Sequence, residues 1–175
     1  GGGRAVGPRG GCGWGGRAMV VTGAVIDFLA VARSVAAGSC DAQGRPHATR
    51  CAALRIAEDR QHATVFLAEH LAQPILRNVA DNPRLAIQVS HPLDHRTVQL
   101  KGQVVATAQA SEADRRYIEE YVSELATVVD QIGMPFDRVA RMAHWPAAAI
   151  RMRVSEVFLQ TPGPGAGTPL GGRAP

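Results

Sequence analysis

The chain predicts an α+β fold, mainly β, in which about six short antiparallel strands close into a barrel or sandwich with helices at its ends. Three observations carry this reading. Several short runs alternate apolar and polar residues, as in Thr97, Gln99 and Lys101 against Val98 and Leu100. Turn signals punctuate those runs, among them Ala42-Gln43-Gly44-Arg45-Pro46 and Glu58-Asp59-Arg60. One long segment, by contrast, repeats its apolar residues every three or four positions, as a helix lying on a sheet does.

The elements follow in order. Residues 23–33 form a short helical run, with Val25, Ile26, Leu29 and Ala30 on one side. Residues 34–41 read as a first strand, 47–57 as a second and 62–69 as a third. Pro74 suits a first helical turn, after which Ile75, Leu76 and Val79 supply an apolar face and Asn82-Pro83 ends the helix. Residues 84–90 and 96–108 make an antiparallel hairpin around a polar Pro/Asp turn. Ser111 opens the clearest helix, with Asp114 three residues on in the place of the usual Glu or Gln of a capping box. Tyr117, Ile118, Tyr121, Val122, Leu125, Val128, Val129 and Ile132 keep its period, and Gly133 and Pro135 stop it. A short helical piece follows near 136–142. Residues 148–160 close the domain as a last strand with Ile150, Met152 and Val154 on one face.

Composition bounds the rest. A chain of 175 residues is most simply one domain, here 19–160. Aromatics make up only 5%, so Val, Leu, Ile and Ala must fill the core. The net charge of +4 is too small to argue for nucleic acid, and all basic residues except Lys101 are arginines, whose planar forks suit phosphate. Cys12, Cys40 and Cys51 are odd in number and lack CxxC spacing, which speaks against a disulfide framework or a zinc site and fits a reducing cytoplasm. No apolar run is long enough for a membrane helix. Residues 1–18, half of them glycine, are expected to be a disordered, translated leader ahead of Met19, and 161–175 a Pro/Gly-rich tail.

The hairpin is the most informative stretch for function. Its second strand carries Arg96, Thr97, Gln99 and Lys101, a rigid display of cations and amides suited to an anionic, planar ligand. Other constellations are weaker. His91 and His95 are four apart, but Pro92 and Asp94 put them in a turn, so no metal is expected. Cys40 and Cys51 read as strand thiols without chemistry, and Trp145 as packing against the barrel. There is no Ser/His/Asp pattern, and no Gly-rich loop between a strand and a helix.

Three phrases, GRPHATRCAALRI (44–56), NVADNPRLAIQVSHP (78–92) and RTVQLKGQV (96–104), resemble the pyridoxamine 5'-phosphate oxidase-like family of FMN-binding split β-barrels. The resemblance spans about 23–160. It implies a six-stranded antiparallel split β-barrel, a homodimer, and FMN in the crevice between the subunits. It further implies that Arg50 and Arg55 hold the phosphate, at the spacing of an Arg/Lys pair in the oxidase. Their opposite parity brings them to one phosphate only if the strand bulges. Thr97, Gln99 and Lys101 would meet the flavin ring, with Lys101 favouring the anionic reduced form. The oxidase's Ser-Arg-Lys phosphate clamp has no counterpart in Ala72-Gln73-Pro74-Ile75, and its C-terminal Arg/Trp substrate residues have none in TPGPGAG. Oxidation of pyridoxamine phosphate itself is therefore not expected. The reading is a flavin-dependent oxidoreductase of unnamed substrate, with no visible general acid or base. The alternatives are a deazaflavin, haem on one of His47, His91, His95 or His144, or a non-catalytic ligand-binding barrel.

Overall fold

The computed structural model describes residues 19–170; the expectations for the leader 1–18 and for 171–175 fall outside the described residues. The elements are α1 (Gly23–Val31), β1 (Ser34–Cys40), β2 (Pro46–Arg50), β3 (Ala53–Ile56), β4 (His62–Ala68), α2 (Glu69–Asp81), β5 (Arg84–Ser90), β6 (Thr97–Gln109), α3 (Glu112–Asp130), α4 (Phe136–Ala140) and β7 (Ala147–Leu159). The strands form a single antiparallel sheet in the order β2-β1-β5-β6-β7-β4-β3.

Among the described residues there are seven strands, not six, and the difference lies at one place. The run 47–57, expected as one strand, is two. The Cys51 N–H still donates to Val35 O at 2.8 Å, on β1, whereas the next N–H, of Ala52, donates to Phe66 O at 2.7 Å, on β4. In one residue the backbone leaves one edge of the sheet and joins the other. β2 and β3 are thus the two outermost strands, connected by Cys51 and Ala52 alone, and the sheet must curl into a half-barrel to let them meet.

Cross-strand registers show what the curl encloses. Thr49, Ala37, Ile87, Leu100 and Val157 are successive partners across five strands, and from Ala37 onward all are buried. The neighbouring row turns the other way and reaches solvent. From the far side of the sheet, Phe66, Leu67, Ile150 and Met152 join the core. α2 closes it with Ala72, Ile75 and Val79. That helix begins at Glu69, so Pro74 lies inside it and not in its first turn.

α3 begins as expected. Ser111 Oγ accepts from Asp114 N–H at 3.2 Å, and the Asp114 carboxylate accepts from Ser111 N–H at 3.0 Å. An Asp side chain is therefore long enough to close the capping box. Gly133, at φ +85°, makes the turn out of the helix. α4 packs on α3 and forms with it a small apolar cluster of Ala126, Val129 and Val139, separate from the main core.

The described part of the Pro/Gly segment, 161–170, folds back so that 167–170 lie beside the end of β7. Leu159 N–H donates to Thr168 O at 2.8 Å, and Leu170 N–H to Val157 O at 2.7 Å. Gly167, at φ +88°, allows the reversal.

Candidate functional site

The outer face of the sheet gathers the polar side chains. Arg50 pairs with Ala36, Ala36 with Gln88, Gln88 with Gln99, and Gln99 with Phe158. Directly paired residues point to the same side of an antiparallel sheet, so these five form one row across β2, β1, β5, β6 and β7. One step along, Ala48, Gly38, Ala86, Lys101 and Glu156 form a parallel row. On the other flank Ser34 pairs with Ser90 and Ser90 with Thr97. The result is a shallow floor of Ala36, Gly38, Ala48 and Ala86, bordered by a guanidinium, two amides, three hydroxyls, an ammonium, a carboxylate and an aromatic ring.

Each border group is held differently. The Arg50 side chain is exposed and makes no hydrogen bond or ion pair with any described residue. Thr97 is buried, its Oγ1 within 2.9 Å of Ser90 Oγ and 3.0 Å of His95 O, while its N–H donates to Thr161 Oγ1 at 3.0 Å. The 161–170 segment therefore pins the start of β6. Gln99 Oε1 accepts from Gln160 Nε2 at 3.5 Å. Lys101 Nζ lies 4.6 Å from the centre of the Phe158 ring, a cation–π contact that fixes both.

Of the five residues expected to bind a cofactor, the structure brings Arg50, Thr97, Gln99 and Lys101 to one face. Arg55 is elsewhere. It lies on β3, beyond the crossing, where its Nη1 donates to Asp114 Oδ1 at 2.7 Å and its guanidinium stacks 4.2 Å above the Tyr117 ring. The bulge that would unite the two arginines is instead a change of sheet edge. Positions 72 and 75, where the oxidase clamp was sought, are fully buried against the sheet and can hold no ligand, whereas Gln73 and Arg77 are exposed. Gln88, Ser90 and Phe158 were missed. The alternation in Leu85-Ala86-Ile87-Gln88-Val89 already sends Gln88 outward; its pairing with Gln99 follows only from the hairpin register.

A cavity of about 320 Å³ adjoins this face, between the β1 and β5 ends and the α3–α4 pair. Arg50, His91, His95 and His144 border it, and Val122, Leu125, Val129 and Val139 line its apolar side. His47 is not among its walls. Cys51 also lines it, and burial pushes that thiol's pKa far up, so it stays protonated, consistent with an inert role. Among the described residues no group of three His, Cys, Asp or Glu is placed to hold a metal, and no helix is long and apolar enough to cross a membrane.

Residues 21–160 match the family model of pyridoxamine 5'-phosphate oxidase. The chain belongs to this family. Among solved structures, HupZ of Group A Streptococcus is similar at 16% identity, with a TM-score of 0.51, covering 84% of this chain and 99% of its own. A candidate pyridoxamine 5'-phosphate oxidase from Lactobacillus delbrueckii is similar at 13% identity, with a TM-score of 0.50, covering 79% of this chain and 93% of its own. An FMN-binding protein from Syntrophomonas wolfei shares 12% identity over 76% of this chain and 86% of its own, with a TM-score of 0.46. No curated protein matches. At these identities the likeness to the first two establishes the fold alone, and the chemistry must be argued from this chain's own side chains.

Those side chains fit a flavin in part. A phosphate needs a cation, and Arg50 is an unengaged one; the ring needs hydrogen-bonding partners over a flat floor, and Gln88 and Gln99 provide amides. The N-terminus of α2 offers no hydroxyl, because Ala68 stands at its cap.

Proposed function

We propose that the chain is an FMN-binding, oxidoreductase-like protein that acts as a homodimer in the cytoplasm, the cofactor lying against the polar outer face of the sheet and a second copy completing the crevice. The single observation that carries this reading is the row Arg50–Ala36–Gln88–Gln99–Phe158, which sets a free guanidinium, two amides and an aromatic ring along one line over small residues.

Arg50 is assigned the phosphate, since a guanidinium grips phosphate oxygens in pairs and no internal carboxylate competes for it. Gln99 is assigned the ring's carbonyl edge; Thr97, expected there, is buried with its hydroxyl donated to His95 O and its N–H to Thr161 Oγ1, so it holds the start of β6 in place instead. Lys101, held above Phe158, supplies the positive field that favours an anionic reduced ring. Arg55 is assigned no ligand: its charge is met by Asp114, and its role is to fasten α3 to β3. The flavin, once bound, supplies the electron-transfer chemistry, and the protein supplies binding, orientation and electrostatics. With one cation where the oxidase has a fuller clamp, phosphate affinity is expected to be lower than the oxidase's.

The test is an absorbance spectrum of freshly purified protein, together with the mass of any small molecule released on denaturation. Flavin bands and the mass of FMN support the proposal. Arg50→Ala should then weaken FMN binding by about 10- to 100-fold, the value of a charge-assisted contact. Colourless protein that gives no heat on titration with FMN rejects it. A Soret band after haem addition, or the mass of a deazaflavin, would reassign the site to that cofactor.

A further inference from the structure

The cavity beside the sheet face has a chemistry of its own. Its two walls belong to different bodies of the fold. Val35, Cys51, Ala52 and Val122 are part of the main core, whereas Val129 and Val139 belong to the separate α3–α4 cluster. α4 is five residues long and packs on α3. The wall it makes is bounded by Met134 and Met142, both partly exposed, and flexible thioethers adapt to the shape of what they touch.

The rim is positive and the lining holds no carboxylate. Arg50 stands where the sheet face and the cavity meet. His91 has Nδ1 engaged within its own turn, 3.4 Å from Leu93 N and 3.3 Å from an Asp94 oxygen, and His144 has Nδ1 2.8 Å from Met142 O. In both rings Nε2 is the nitrogen left for a ligand. Asp94, the nearest acid in that turn, is taken up by the Arg96 guanidinium at 2.7 Å. Apart from the Ser34 and Ser90 hydroxyls, His95 and the protonated Cys51 thiol, the walls are otherwise apolar.

We infer that this cavity binds a compact carboxylic acid with an apolar body, aryl or short alkyl. One permanent cation at the rim matches one negative charge, where a phosphate dianion would call for more. His91 Nε2 adds a hydrogen bond to the head group, and Val122, Leu125, Val129 and Val139 receive the body. A volume of about 320 Å³ is at the small end for ligand pockets, which favours a compact acid over a long chain. This site goes beyond the proposed cofactor face and does not depend on it; Arg50, Ser34 and Ser90 border both, so they are left out of the test.

Phenylacetate is the probe, and 2-phenylethanol is its uncharged counterpart, each titrated calorimetrically into the full chain. Phenylacetate should bind at least tenfold more tightly than the alcohol. Met142→Trp, at a partly exposed wall position, should fill the cavity and reduce phenylacetate affinity at least tenfold while leaving the circular dichroism spectrum unchanged. His91→Ala should weaken the acid and spare the alcohol. Equal affinity for acid and alcohol, no heat with millimolar phenylacetate, or a Met142→Trp protein that binds as before would overturn the inference. FMN binding is read separately: colourless protein that gives no heat with FMN yet binds phenylacetate rejects the flavin proposal alone, and yellow protein indifferent to phenylacetate rejects this one alone.

Discussion

Gly102 lies where a side chain on β6 would run into the backbone of β7. It sits at a register shift between β6 and β7, and a Cβ there would lie 2.0 Å from Arg153 O and 2.9 Å from Met152 Cγ. A carbonyl fixed in a ladder cannot withdraw as a side chain can, so Gly102→Ala should cost about 3 kcal/mol or more, visible as a lower melting temperature or urea midpoint. Gly38→Ala is the control: its nearest contact would be an ordinary 3.8 Å, and its effect should stay within about 0.5 kcal/mol. Equal effects of the two substitutions would refute the close approach. The sequence alone places Gly102 on the inner face with Val98 and Leu100, but not the reason for a glycine. That reason is a neighbour some fifty positions away, and no local pattern encodes it.

At the scale of the element, α3 separates what is local from what is not. Ser111 and Asp114 are three residues apart, so the capping box was legible, as was the buried stripe of Ile118, Tyr121 and Val122. The partner of that box was not. Arg55 donates to the same Asp114 carboxylate from β3, and Tyr117 OH donates to Leu54 O at 2.6 Å, so cap and strand edge form one joint. An R-x4-R spacing reads as a phosphate pair only while the strand runs on; once the chain crosses from one sheet edge to the other at Cys51–Ala52, the second arginine serves a different element. Burial works to raise the Asp114 pKa, but hydrogen bonds from the Ser111 N–H and hydroxyl and from the Arg55 guanidinium outweigh it, and the carboxyl lies below its usual value. A depressed folded-state pKa means that this stabilisation is complete above the unfolded value, near pH 4, and is lost as pH falls through the folded one. Asp114→Asn should therefore cost about 1–2 kcal/mol at pH 7 and progressively less towards pH 2, followed by urea unfolding across that range. A penalty that does not change with pH would show that the carboxylate's charge contributes nothing.

For the whole molecule, the decisive feature is closure. A seven-stranded sheet whose outermost strands are consecutive in the chain has one face enclosed and one face turned out. Strand alternation predicted both faces, and turn residues located the strands. The closing step at Cys51–Ala52 carries no proline or glycine to mark it, which is why β2 and β3 read as one strand. The outward face then poses a physical question. Its centre, Ala36, Gly38 and Ala86, is only half-buried although it lies mid-sheet on β1 and β5, and small residues there leave room for something flat or for another sheet. If a second copy covers it, a long cation at the centre must be excluded, because it would be buried beside Arg50 without a counter-charge. Ala36→Arg is accordingly expected to convert a dimer to a monomer in sedimentation velocity at micromolar protein, with the far-ultraviolet circular dichroism unchanged, since the position faces away from the core. If the proposed crevice lies between two copies, bound flavin should be lost in the same step. An unmodified chain that sediments as a monomer at those concentrations, or an Ala36→Arg protein that stays dimeric and yellow, would place the cofactor and the association surface somewhere other than this face.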